Sequence, residues 1–142
     1  MDKLQIAQAC AKQMFSDDRA SRNLGMSVKI IKPGIAEARM TVTQDMVNGH
    51  DVCHGGFIFM VADSAFAFAC NCYDDVTVAS GADVNFLYPA RLGDELIAIA
   101  RETQRGRRAG VYDVEVRNQD ERLVAVFRGR SVTLGRPILG NK

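Results

Sequence analysis

The residues whose types and spacing could do chemistry are Asp63 and the glycine pair Gly55-Gly56. From Gly55 to Cys70 the chain is small or apolar except for Asp63 and Ser64, and a helix that is apolar all the way round is a buried helix. An ionised carboxylate in such a place costs several kcal/mol unless it is paired, hydrogen-bonded or reached by solvent or a ligand. Asp63 is therefore either satisfied or used. At the front of the run, glycines allow close approach to the backbone, and the first N–H groups of a helix lack intrahelical partners. With the positive end of the helix dipole they form a site for developing negative charge. A donor pair and an acid together suit acyl chemistry: the N–H polarises a carbonyl, and the carboxylate attacks it or activates a water.

Gly55 and Asp63 are eight residues apart, which is roughly 12 Å along a helix axis. Donor and acid must each lie within about 3 Å of their reacting atom, so one helix cannot supply both. Two such helices, antiparallel and side by side, can. A catalytic reading thus expects sites shared between two subunits, twice per dimer. The structural alternatives are a carboxylate that bridges buried polar groups at a dimer seam and glycines that serve close helix packing. His54 either orients substrate or caps the loop; Asn48 and His50, in the same polar approach loop, either touch the ligand or make turns. Arg91, Arg105, Arg107 and Arg108 are the basic clusters. Guanidinium groups bind phosphates bidentately, so a phosphorylated handle such as coenzyme A would suit them; the alternative is a solvated turn. Phe57, Phe59, Phe66 and Phe68 either line a pocket for a flat ring or pack the core.

The elements that must position these groups are those of one domain. The 142 residues, 47% hydrophobic and 25% charged, are enough for a real core and have globular composition. A net charge of +1 argues against nucleic acid or an anionic membrane as a partner. Cys10, Cys53, Cys70 and Cys72 lack the spacing of a metal or redox motif, so no metal is expected. Met1-Asp2-Lys3-Leu4 opens an amphipathic pattern instead of a secretion signal, and a reducing cytoplasm is the expected compartment. The run from Gly55 to Cys70 is shorter than the ~20 residues of a membrane span and is interrupted by Asp63.

Helical spacing predicts a surface helix over about 2–18, with Ser16 to Arg19 ending it or starting a short second turn. Strands are expected over 26–32 and 36–43 as a hairpin about Pro33-Gly34, with Ala36, Ala38, Met40 and Val42 inward. The central helix follows over about 55–72, then strands over 76–88, 95–103, 110–117 and 122–134. Ala82, Val84, Phe86 and Tyr88 share a face, and Gly129 suggests a bulge. Segregated strands with one apolar helix mean an α+β fold in which an antiparallel sheet wraps that helix.

With its Asn48-Gly49-His50, Cys53-His54-Gly55-Gly56, Ala62 to Ala67, Gly110 to Val116 and Phe127 to Ser131, the chain resembles the hotdog-fold acyl-CoA thioesterases, in the branch of the phenylacetate-degradation thioesterase. The resemblance runs from about residue 20 to 134. It implies a single hotdog domain over 1–142, dimers formed side by side, tetramers of two such dimers, and metal-free hydrolysis of arylacetyl-CoA, such as phenylacetyl-CoA or hydroxyphenylacetyl-CoA, to acid and coenzyme A. No cofactor is implied, since coenzyme A is part of the substrate. Position by position, Asp63 matches the catalytic acid and Gly55 the glycine whose N–H binds the thioester carbonyl, with Gly56 and His54 completing the motif. Asp17 matches a supporting polar residue of the N-terminal helix. Competing classes are an acyl-CoA hydratase or dehydratase on the same fold and a non-enzymatic acyl-CoA binding module. A dehydratase needs a histidine working with an acid; His50 and His54 both precede the helix, away from the Asp63 of the same chain, which favours hydrolysis.

Overall fold

The structure, a computed structural model, describes residues 1–140. Helix α1 (Lys3–Asp17) starts from a capping box in which the Asp2 carboxylate accepts from the Gln5 N–H at 2.8 Å and the Gln5 side chain accepts from the Asp2 N–H at 2.9 Å. It ends where Asp18 becomes the N-cap of a short helix α2 (Arg19–Asn23), the second turn expected after Ser16. Strands β1 (Ser27–Lys32) and β2 (Ile35–Thr41) form the expected hairpin. Helix α3 (Gly55–Cys70) follows, then β3 (Thr77–Phe86), β4 (Glu95–Arg105), β5 (Ala109–Arg117) and β6 (Leu123–Thr133).

The six strands make one antiparallel sheet in the order β1-β2-β4-β5-β6-β3, and α3 packs across it, mainly on β2, β4 and β5. This is the α+β hotdog arrangement. Alternation decides which side meets the helix: Ala36, Ala38 and Met40 from β2, Leu96, Ala98 and Ala100 from β4, and Tyr112, Val114 and Val116 from β5 are all buried. Small residues on β2 and β4 leave room for the helix to lie close. The outward residues of β4, Ile97 and Ile99, are only half-buried.

Two particulars tie the helix to the sheet. Asn71, buried just past α3, donates from Nδ2 to the Ala67 and Thr77 carbonyls at 2.8 and 2.9 Å and accepts from the Thr77 N–H at 2.8 Å. One side chain thereby ends the helix at Cys70, two residues before the expected limit, and anchors the start of β3. Gly129 makes no bulge: its pairings with Ala82 and Tyr112 run in register. A Cβ there would lie 2.7 Å from the Phe66 ring of α3, so the glycine exists for close helix packing. The irregularity falls instead in β3, between Ala79 and Gly81.

The two sheet edges differ. Strand β1 carries Lys29 and Lys32 and has α1 packed on it. Strand β3, ten residues long, pairs on one side only and carries no lysine or proline. Edges of that kind are pairing surfaces.

Candidate active site

Helix α3 is covered except at its first turns and along one stripe. Gly56 is exposed and Met60, Asp63 and Ala67 are half-buried, at spacings of four, three and four residues, while most of the remaining turns are buried. Asp63 is thus the one charged group on the open face of an apolar helix. Burial, and secondarily the negative charge of Asp18, push its carboxyl above the ordinary range. It makes no ion pair among the described residues. Among the described residues, the bridging role open to a structural carboxylate has no partner.

At the front of α3, His54 is the N-cap with φ −61° and ψ 140°, and its side chain makes no capping hydrogen bond. The His54 N–H donates to the Met46 carbonyl at 2.9 Å and the Cys53 N–H to Ala90 at 2.8 Å, which pins the approach loop. The Phe57 N–H returns to His54 at 3.1 Å, and among the described residues the Gly55 and Gly56 N–H groups find no acceptor. These are the free donors that the sequence predicts. A Cβ on Gly55 would come within 2.8 Å of Phe86 Cζ, whereas one on Gly56 would meet nothing. Asn48 shapes the loop: its Oδ1 accepts from the His50 and Val52 N–H groups at 2.9 and 3.1 Å. His50 and His54 are both exposed.

An apolar cleft of about 450 Å³ opens beside Gly55, walled by Ile58, Phe86, Tyr88 and Pro89. The structure brings Arg91 to this end, bridged to Val52. It adds Arg122, whose guanidinium lies 4.3 Å from the centroid of Tyr88 and which no motif singled out; its expected place at the start of the last strand gave no signal. Arg105, Arg107 and Arg108 lie at the opposite end of α3, where Arg105 stacks 3.6 Å above Tyr73. Of the four phenylalanines, Phe66 and Phe68 are core, 1% exposed, and Phe57 and Phe59 are half-buried. Asp17 is exposed at the end of α1; the carboxylate whose charge Asp63 feels is the neighbouring Asp18.

Cys10, Cys53, Cys70 and Cys72 are free and buried, and desolvation raises all of them, Cys53 and Cys72 to about 11 and Cys70 to about 12, which makes them inert thiols. Among the described residues no group of His, Cys, Asp and Glu side chains could hold a metal ion, and no helix is long and apolar enough to cross a membrane.

Comparisons with known proteins agree with the fold. Residues 50–125 match the profile of the thioesterase superfamily. The acyl-coenzyme A thioesterase PaaI of Escherichia coli is 43% identical over 130 residues, 92% of this chain and 93% of that protein. The structure of E. coli PaaI, from the phenylacetic acid degradation operon, superposes with a TM-score of 0.93 at 40% identity, covering 96% of this chain and 99% of that one. A mutant of the phenylacetic acid degradation protein PaaI from Thermus thermophilus matches at 0.78 and 35% identity, covering 82% and 100%. A Streptococcus mutans protein solved bound to acetyl CoA matches at 0.74 and 25% identity, covering 79% and 90%. The chain belongs to the thioesterase superfamily.

Proposed function

We propose that this member of the thioesterase superfamily hydrolyses acyl-CoA thioesters, with arylacetyl esters such as phenylacetyl-CoA or hydroxyphenylacetyl-CoA as substrates, to the free acid and coenzyme A. The observation that carries the mechanism is the pairing of an unsatisfied helix start at Gly55 with a lone unpaired carboxylate, Asp63, on the open stripe of the same helix. Acyl-CoA chemistry is supported by the likeness to the E. coli thioesterase and to a fold relative that holds acetyl CoA. The arylacetyl preference is supported by relatives from phenylacetic acid degradation.

Eight residues separate Gly55 from Asp63, so the functional unit is a homodimer in which the open stripes of two α3 helices lie antiparallel. The free β3 edge supports this pairing, since joining two β3 strands closes both edges at once. Each site then takes the Gly55 N–H from one subunit and Asp63 from the other. Two such dimers make the tetramer that the resemblance implies.

In the reaction the Gly55 N–H, backed by the Gly56 N–H and the helix dipole, polarises the thioester carbonyl and holds the oxyanion. The ionised Asp63 either attacks the carbonyl carbon, giving an anhydride that water cleaves, or takes a proton from the attacking water; both routes expel the coenzyme A thiolate. His54 and the Asn48 amide, both in the approach loop, orient the acyl group. The apolar cleft beside Gly55 receives the pantetheine arm, and Arg91, next in sequence to the lining residue Ala90, and Arg122, stacked on Tyr88, meet the phosphates. The antiparallel pairing returns Arg105, Arg107 and Arg108 toward the partner's helix start. No cofactor or metal enters, and the buried free thiols suit a reducing cytoplasm.

The test is thiol release from phenylacetyl-CoA, hydroxyphenylacetyl-CoA, benzoyl-CoA and a medium-chain acyl-CoA, with wild type and Asp63→Asn side by side. Turnover favouring the arylacetyl esters and lost in the mutant is expected. A change in double-bond absorbance without free thiol would indicate hydration chemistry instead, and binding without turnover a sensor.

A further inference from the structure

The polar groups behind Asp63 form a chain that the reaction scheme has not used. Asp18, the N-cap of α2, accepts from the Ser21 N–H on Oδ1 at 3.0 Å and from the Ser21 hydroxyl on Oδ2 at 2.8 Å. Ser21, fully buried, lies 2.9 Å from the Ser64 hydroxyl, itself 4% exposed. A hydroxyl has one proton to give. Ser21 gives its own to Asp18, so Ser64 must donate to Ser21, and the chain runs one way, from α3 to the carboxylate of Asp18. Both Asp18 oxygens are acceptors. Ser64 is the residue next to Asp63, so this carboxylate is fixed against the turn of α3 that carries the acid.

We propose that Asp18 is a positioning residue for the reaction, a carboxylate tied through Ser21 and Ser64 to the turn of α3 that carries Asp63, where its charge favours Asp63 as the proton acceptor. The proposal rests on the thioesterase reading above. A negative charge close to a half-buried carboxyl disfavours the ionised form of that carboxyl. Burial and the Asp18 charge act in the same direction on Asp63, both raising it. A more basic carboxylate is the better acceptor of a water proton near neutral pH. Besides Asp18, the titratable group that senses Asp63 is Cys70, on α3 itself. The strands packed on α3 present mainly apolar side chains; among the described residues the buried polar ones are Thr77 of β3, Tyr112 of β5 and Ser131 of β6, and half-buried Glu102 of β4 accepts from the Tyr112 hydroxyl at 3.0 Å.

The experiment uses Asp18→Asn, because Asn ranks with Asp as an N-cap and keeps an acceptor for the Ser21 N–H while losing the charge. The profile of kcat/KM against pH is expected to shift its acid limb to lower pH, with a reduced plateau, and Asp18→Glu is expected to bring the limb back toward wild type. A second readout needs no turnover: the Asp63 carboxyl carbon, followed by NMR, is expected to titrate at lower pH in Asp18→Asn than in wild type. An unmoved acid limb and an unmoved Asp63 titration in Asp18→Asn would overturn the proposal. Absence of thiol release from wild type would instead defeat the hydrolase reading, and the carboxyl titration would still decide the role of Asp18.

Discussion

Replacing Gly55 by proline removes the proposed oxyanion donor and leaves the helix a reason to form. Proline is favoured at the first position of a helix, where its missing N–H was unpaired in any case. The residue before it must be extended, and His54 already is, with φ −61° and ψ 140°. The complication is steric, since any Cβ at position 55 would sit 2.8 Å from Phe86 Cζ. Phe86 is 52% exposed, so its ring can turn aside for about 0.5–1.5 kcal/mol, about tenfold in rate at most. Gly55→Ala carries that steric change with the N–H intact, and so measures it alone. Loss of one oxyanion donor costs about 10²–10³-fold in kcat. Steady-state thiol release is therefore expected to rank wild type, then Gly55→Ala within about tenfold, then Gly55→Pro a further 10²–10³-fold down, roughly, with unchanged far-ultraviolet circular dichroism. Equal kcat values for the alanine and proline variants would refute the role assigned to the Gly55 N–H.

Asp63→Asn should raise stability while removing activity. Its folded carboxyl is raised by burial, so the folded state holds the proton more tightly than the unfolded chain does, and wild-type stability falls as pH rises above the unfolded value of about 3.9. The thermal midpoint of the mutant should exceed wild type at neutral pH and converge with it in acid; a lower midpoint at neutral pH would mark Asp63 as a structural carboxylate. Gly129→Ala drives a Cβ to 2.7 Å from the buried Phe66 ring, overpacking that costs about 1–3 kcal/mol. At about 3 °C per kcal/mol for a chain of this length, calorimetry should show the midpoint falling accordingly, and an unchanged midpoint would contradict the packing described. Replacing Arg91 and Arg122 together by alanine should raise KM for a CoA thioester and leave KM for the matching pantetheine thioester alone. Equal effects on the two would place these arginines outside the nucleotide site.

Much of this was legible in the residues because it follows from period and polarity. The apolar run from Gly55 announces a buried helix whatever surrounds it, and the alternation in β2 and β5 assigns Ala36, Ala38, Val114 and Val116 to the core, where they lie. Long-range packing was less legible. Gly129 reads as a bulge until Phe66 is seen against it, because a close approach leaves no mark on its own neighbours in sequence. Strand β3, the first strand after α3 in the chain, takes the far edge of the sheet beside β6, a placement that strand pattern alone does not encode. At the site, the acid and the helix start were found from one helix, whereas Asp18, Arg122 and Tyr88 came to it through folding. Asp17 and Asp18 are adjacent, and only the turn into α2 selects which one is tied through Ser21 to Ser64, the neighbour of Asp63.

The central claim is that each site joins Gly55 of one subunit to Asp63 of another, and complementation tests it most directly. Asp63→Asn and Gly55→Pro, each inactive alone, are unfolded together in equal amounts and refolded. Half of the dimers are then mixed, and by two-fold symmetry each mixed dimer has one site with both groups intact, so about one quarter of wild-type activity should return. Recovery of that fraction is the predicted result. If mixed dimers form and thiol release stays at the level of the separate variants, the shared site is wrong.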